Sequence, residues 1–173
     1  DNTILASGFR NYVQIAVRVN EIEWAKNFIE ENKTYLFADE KESVVQFSNG
    51  MIWFGLKKYD KTIEALRDVN FKDFQNDTQA RLLLSKAYYE MEEYDALLYL
   101  IESFKKLLRR NKNRSAGIIT SLNNYLKALQ RISFVKPKDL KILTEFVQNE
   151  KLIAEKNWLL EKLQERNKNR RSE

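Results

Sequence analysis

Six cations crowd the stretch from Lys105 to Arg114: Lys105, Lys106, Arg109, Arg110, Lys112 and Arg114. Such a cluster could hold phosphate oxygens, and binding of that kind gains most when aromatic rings lie beside the cations to stack on bases. The neighbours here, Phe104, Leu107 and Leu108, have the spacing of a buried helix face instead. Cations at a helix end also complement its dipole. The cluster therefore reads first as the solvated end of a helix. Binding a nucleic acid or another polyanion through Lys105–Arg114 is the alternative, and nucleic acid is not the expected partner.

Other chemistry is scarcer still. The chain has neither histidine nor cysteine, so the commonest general base, the commonest metal ligand and every thiolate are missing. No glycine-rich phosphate loop and no calcium-loop spacing occurs. Carboxylate pairs such as Glu30-Glu31 and Glu92-Glu93 are adjacent, so on a helix they diverge. Three Asn-x-Ser/Thr sequons, at Asn32, Asn76 and Asn113, are what an Asn-rich composition produces by chance. The expectation is a chain that is no enzyme and takes no cofactor or metal.

What must position these residues is helix. Among 173 residues there are four glycines and one proline, too few for the many tight turns of a β fold. Charged residues make up 32% and hydrophobic ones 43%, with a net charge of +5, which suits exposed helix surface around a real core. No apolar run approaches the ~20 residues of a membrane span. The absence of cysteine leaves the compartment open, with the cytoplasm favoured. The opening DNTILASGF lacks an initiator Met and reads as a fragment or a processed form, so any targeting segment would be lost.

A period is visible at thirty-five residues. Residues 47–69 laid over 82–104 place Gly50 on Ser85, Trp53 on Tyr88, Tyr59-Asp60 on Tyr94-Asp95, Leu66 on Ile101 and Val69 on Phe104. One further step back puts Trp24 under Tyr59. Each unit reads as two amphipathic helices around a short polar break such as Lys57-Lys58. Asp60 stands where a helix start wants a side-chain acceptor. A small residue at Gly50 and again at Ser85 predicts close approach of the partner helix. The aromatics Trp24, Trp53, Tyr59, Tyr88 and Tyr94 are expected at internal packing positions.

Gly50, Trp53 and Tyr59-Asp60, with Ser85, Tyr88 and Tyr94-Asp95, resemble the tetratricopeptide repeat, a helix–turn–helix unit of about 34 residues. The pattern is degenerate: Gln46 and Arg81 stand where a bulky apolar residue is usual, and Phe74 and Arg109 where proline closes the unit. The resemblance implies an all-α right-handed superhelix of antiparallel helix pairs, with units at about 9–42, 43–76 and 77–111. It also implies a concave groove lined by first helices. Carried over, the groove positions are Phe9, Tyr12 and Ala16, then Phe47, Met51 and Phe54, then Leu82, Lys86 and Tyr89. Such a strip suits a peptide or partner protein, and with Lys86 as its only polar and basic member it is not expected to clamp a terminal carboxylate. Equally open is a groove closed by the chain's own C-terminal helices.

Behind the repeats the register is lost. Ser115 to Ile132 reads as a helix, Pro137 opens another, and Leu152 to Gln164 forms a last, capping helix. The expectation is one domain of about eight helices over 1–165, with a basic tail at 166–173 that frays. It is read as an interaction scaffold, and a place as the C-terminal part of a longer repeat protein fits that reading. Its open N-terminal end bares a helix face, so self-association through that end is expected.

Overall fold

The computed structural model describes residues 3–69 and 71–169, and all regular structure among them is helical. Nine α-helices occur among the described residues. They are α1 (Ala6–Arg18), α2 (Ile22–Asn32), α3 (Lys41–Gly55), α4 (Tyr59–Leu66), α5 (Phe74–Glu90), α6 (Tyr94–Arg110), α7 (Ala116–Ser133), α8 (Leu140–Asn149) and α9 (Lys156–Asn169). Short 3-10 turns lie at Lys33–Tyr35 and Pro137–Asp139. The all-α expectation is met. The chain divides into two compact units, Asp1–Glu93 and Tyr94–Glu173, and the division falls at the turn between α5 and α6.

In the first unit α1 packs on α2 and α3, α3 on α4, and α5 on both α3 and α4. Three of its helices end in one and the same turn. Asn20, Lys57 and Glu92 adopt left-handed backbone, with φ of 63°, 57° and 56°. The N–H groups of Glu21, Lys58 and Glu93 then donate to the carbonyls of Ala16, Trp53 and Tyr88. Those of Asn20, Lys57 and Glu92 reach Val17, Phe54 and Tyr89. This double bond is the Schellman motif, which satisfies carbonyls that a helix end leaves open.

The turns correct the expected register. Lys57 and Glu92 are thirty-five residues apart, but Asn20 and Lys57 are thirty-seven apart. The first hairpin is therefore offset by two, and Ile22, not Trp24, corresponds to Tyr59. In the corrected register Val13, Gly50 and Ser85 correspond, as do Ala25, Thr62 and Leu97, and Ile29, Leu66 and Ile101; all nine are buried. At Gly50 the reason for a small residue is direct: a Cβ there would lie 2.9 Å from the Leu66 side chain.

The expected core aromatics are not core. Trp24 is 48% exposed, and Trp53, Tyr59, Tyr88 and Tyr94 are half-buried. The buried positions are instead those of the aliphatic series at 29, 66 and 101, and Leu66 of α4 lies against Gly50 of α3. Asp60 is not a cap either: α4 has Lys58 at its N-cap with no side-chain hydrogen bond, and Asp60 lies in the first turn. A side-chain cap does occur at α5, where the Asn76 N–H donates to Asp73 at 2.8 Å.

In the second unit α7 is central, packing on α6, α8 and α9. Its Tyr125, Leu126, Leu129 and Ile132 are fully enclosed, with Leu97, Ile101, Phe104 and Leu108 from α6 and Leu143 and Val147 from α8. The expected last helix begins later than Leu152. Residues 150–155 are non-helical and follow α7, with Ala154 N–H donating to the Ser121 carbonyl at 3.1 Å and Asn124 Nδ2 to the Leu152 carbonyl at 2.9 Å. Lys156 Nζ closes the end of α8 by donating to the Gln148 carbonyl at 2.7 Å. At the far end α9 runs on through Asn169, so the start of the expected tail is helical, and Arg166 Nη2 donates to the Tyr94 hydroxyl at 3.1 Å. Residues 170–173 of that tail lie outside the described residues.

Candidate functional site

The strip carried over from the resemblance is largely covered by its own surroundings. Phe47 is buried and meets the Phe71 ring edge-on at 5.9 Å, and Tyr89 is buried too. Met51, Phe54 and Lys86 are half-buried. The Lys86 ammonium sits 5.3 Å from the Phe54 ring centre, and Phe54 meets Tyr59 edge-on at 5.3 Å. A cation over a ring face is attracted by its quadrupole, so Lys86 and Phe54 hold each other in place.

Phe9 and Tyr12 do not join this strip. In the corrected register the counterparts of Phe47, Met51 and Phe54 in α1 are Arg10, Gln14 and Val17. Arg10 is buried, its guanidinium 5.4 Å from the Phe47 ring centre. Its Nε donates to the Ala6 carbonyl at 3.2 Å, and its Nη2 donates to Asn76 Oδ1 on α5. Asn76 Nδ2 in turn donates to Asp73. Burial pulls the Arg10 pKa down, while Asp73 and Glu40 push it back up. A place expected to be apolar thus holds a buried cation tied to α5.

Phe9 lies in the core at the base of an aromatic cluster. Its ring, that of Tyr12 and that of Trp24 all meet Phe28, at 5.1, 5.4 and 5.1 Å, with Trp24 and Phe28 stacked. Above that base is a cleft of about 270 Å³ between α1 and the start of α2, lined by Tyr12, Ile15, Ala16, Val19, Glu21 and Trp24. Its wall is almost wholly apolar. Tyr12 is 56% exposed, Ile15 59% and Val19 63%. Sequence reasoning placed Tyr12 elsewhere and missed Ile15 and Val19. The signal available was Asn20, a residue type favoured at a left-handed helix end, which sets the register and turns Ile15 and Val19 away from the core.

The basic cluster lies at the end of α6 and in the turn after it. Lys106, Arg109, Arg110, Lys112 and Arg114 are exposed, while Lys105 is half-buried, with its Nζ 2.8 Å from Glu102 and 3.3 Å from Gln130 Oε1. The Lys105 hydrogen bond holds the Glu102 carboxyl below its ordinary range. Tyr99, 85% exposed, shares the outer face of α6 with Lys106 and Arg110.

Among the described residues no group of His, Cys, Asp or Glu is placed to hold a metal ion, and no helix is long and apolar enough to cross a membrane. No family model, curated protein or solved structure matches the chain.

Proposed function

We propose that this chain is a non-enzymatic protein-interaction scaffold, built as a degenerate tetratricopeptide-like array of helix pairs with divergent helices behind. Three identical Schellman turns and the buried series at 13, 50 and 85 support the array. The observation that carries the function is the exposed apolar face of the first hairpin. Tyr12, Ile15, Val19 and Trp24 surround one cleft, and large apolar side chains gathered in this way mark a surface that meets another apolar surface. The ligand that fits is an amphipathic helix whose apolar side chains enter beside Trp24. Selection of peptides from a random library against the folded chain, with Ile15→Glu as the counter-selection, tests this. Amphipathic sequences that bind the chain and not the variant support it; a library yielding none, or only binders indifferent to Ile15→Glu, contradicts it.

Tyr99 favours a second reading, binding of a polyanion along α6, since it sets an exposed ring beside Lys106 and Arg110. Retention on heparin that falls steeply with salt and is lost in Tyr99→Ala/Arg110→Ala would establish that reading.

A further inference from the structure

Two groups in the cleft of the first hairpin lack what the chain supplies to similar groups elsewhere. The first is the Trp24 ring. Phe28 covers one face of the indole, stacked at 5.1 Å, and Trp24 nonetheless stays exposed. On other rings the chain lays its own cations: Lys58 and Lys61 on Trp53 at 5.5 and 4.8 Å, Lys86 on Phe54, and Lys127 and Arg131 on Phe146. Among the described residues no cation lies over Trp24, although tryptophan is the ring that attracts one best. The nearest lysine in sequence, Lys26, pairs with Glu23 at 2.6 Å.

The second is the Glu21 carboxylate. Glu21 is the N-cap residue of α2, but its side chain makes no capping hydrogen bond, and among the described residues no ion pair engages it. It stands three residues before Trp24, about one turn away along α2, and both line the cleft. The wall is almost wholly apolar, so Glu21 gives it methylenes and holds its charge at the rim. An unpaired anion and an uncovered indole thus share one opening. What satisfies both is a cation on an apolar stem.

We infer that the cleft receives an arginine side chain of the partner helix, its stem along Ile15 and Val19 and its guanidinium between Glu21 and Trp24. This rests on the reading of that face as an interaction surface, and it names the residue by which the partner is recognised. Arginine fits better than lysine, because a planar guanidinium both stacks on an aromatic face and donates in a fork to a carboxylate. The size of the cleft points the same way. Pockets for whole small molecules begin at about 300 Å³. At about 270 Å³ this one falls short of that and takes a single long side chain. The net +5 of the chain opposes a basic partner at a distance, but ordinary salt screens exposed charges beyond about 10 Å. The preference for a cation is therefore set at contact, by Glu21 and Trp24.

Among library peptides whose binding Ile15→Glu abolishes, an arginine should recur beside the apolar positions. In the tightest of them, replacing that arginine by citrulline, its uncharged isostere, should weaken binding by at least about fivefold. Glu21→Gln should weaken the arginine peptide by a similar factor and leave the citrulline peptide as it was. Trp24→Leu, which keeps the wall apolar, should narrow the gap between the two peptides as well. Because Glu21 and Trp24 are both exposed, circular dichroism should find each variant as helical as the parent. Peptides that bind the cleft with no arginine in common overturn the inference and leave the scaffold reading standing. So does an arginine whose replacement costs the same in the parent and in Glu21→Gln. Self-association that Ile15→Glu abolishes and Glu21→Gln does not would put a second copy in the cleft, and overturns it too. A library without any binder to this face overturns both readings.

Discussion

Ile15 in α1 and Ile52 in α3 occupy the same place in successive hairpins, five residues before the left-handed Asn20 and Lys57, yet Ile15 is 59% exposed and Ile52 1%. Neighbouring helices enclose Ile52, for α3 packs on α1, α2, α4 and α5. Substitution should separate the two sharply. Ile52→Ala should cost about 2–5 kcal/mol through lost burial and the cavity it leaves. Ile15→Ala in dilute solution should stay within about 0.5 kcal/mol of the parent. Urea melts of both variants check this, and equal costs would mean that the α1 face is covered.

The three shared turns carry a second expectation. Lys57 and Glu92 hold left-handed backbone that is costly for any residue with a Cβ. Lys57→Gly and Glu92→Gly should each stabilise the fold by about 0.5–1 kcal/mol, and Asn20→Gly by less, because asparagine tolerates that conformation. Thermal melts read the gain; a loss at Lys57 would show that its side chain is needed where it lies.

Helix positions were legible in the sequence because apolar periodicity reports them: the reading of Ser115 to Ile132 differs from α7 by one residue at each end. The register of the first hairpin was not. Trp24 happened to fall thirty-five residues before Tyr59, and that coincidence hid a connection two residues longer, in which Lys33–Tyr35 forms a 3-10 turn between α2 and α3. The proposed strip mixed two faces of α1 for the same reason. Side chains that fill their own groove, as Arg10 and Phe71 do around Phe47, leave no periodic trace at all.

Arg10 and Asn76 are sixty-six residues apart in sequence and joined by a hydrogen bond in the core. Asn76→Ala should cost about 2–3 kcal/mol, since it takes the acceptor from the buried Arg10 Nη2 and leaves that donor unpaired. Arg10→Met keeps most of the packing volume and should cost less. In the double variant much of the Asn76→Ala penalty should vanish, and strict additivity in the melts would mean that the pair is not coupled.

Burial raises the Tyr88 phenol above its ordinary pKa, and the Glu93 carboxylate adds to the rise against the pull of Arg67. The neutral phenol is thus favoured in the fold. Its contribution is complete below the unfolded value of about 10 and is lost as pH climbs through the folded value. Stability should therefore fall in the alkaline range, and Glu93→Gln should move Tyr88 ionisation, and that fall with it, toward lower pH. Ultraviolet titration of the tyrosines follows it; an unchanged titration curve in Glu93→Gln would remove Glu93 as a cause.

The central claim is that this chain meets its partners through the α1 face and not through the strip around Phe54 or the cations of α6. Backbone and indole NMR shifts, followed while the best library-selected peptide is titrated in, decide it most directly. The account predicts the largest movements at Tyr12, Ile15, Val19 and the Trp24 indole, with Met51, Phe54, Lys86 and the stretch from Lys106 to Arg114 unmoved. Movements centred on either of those two regions, with the α1 face still, would contradict it.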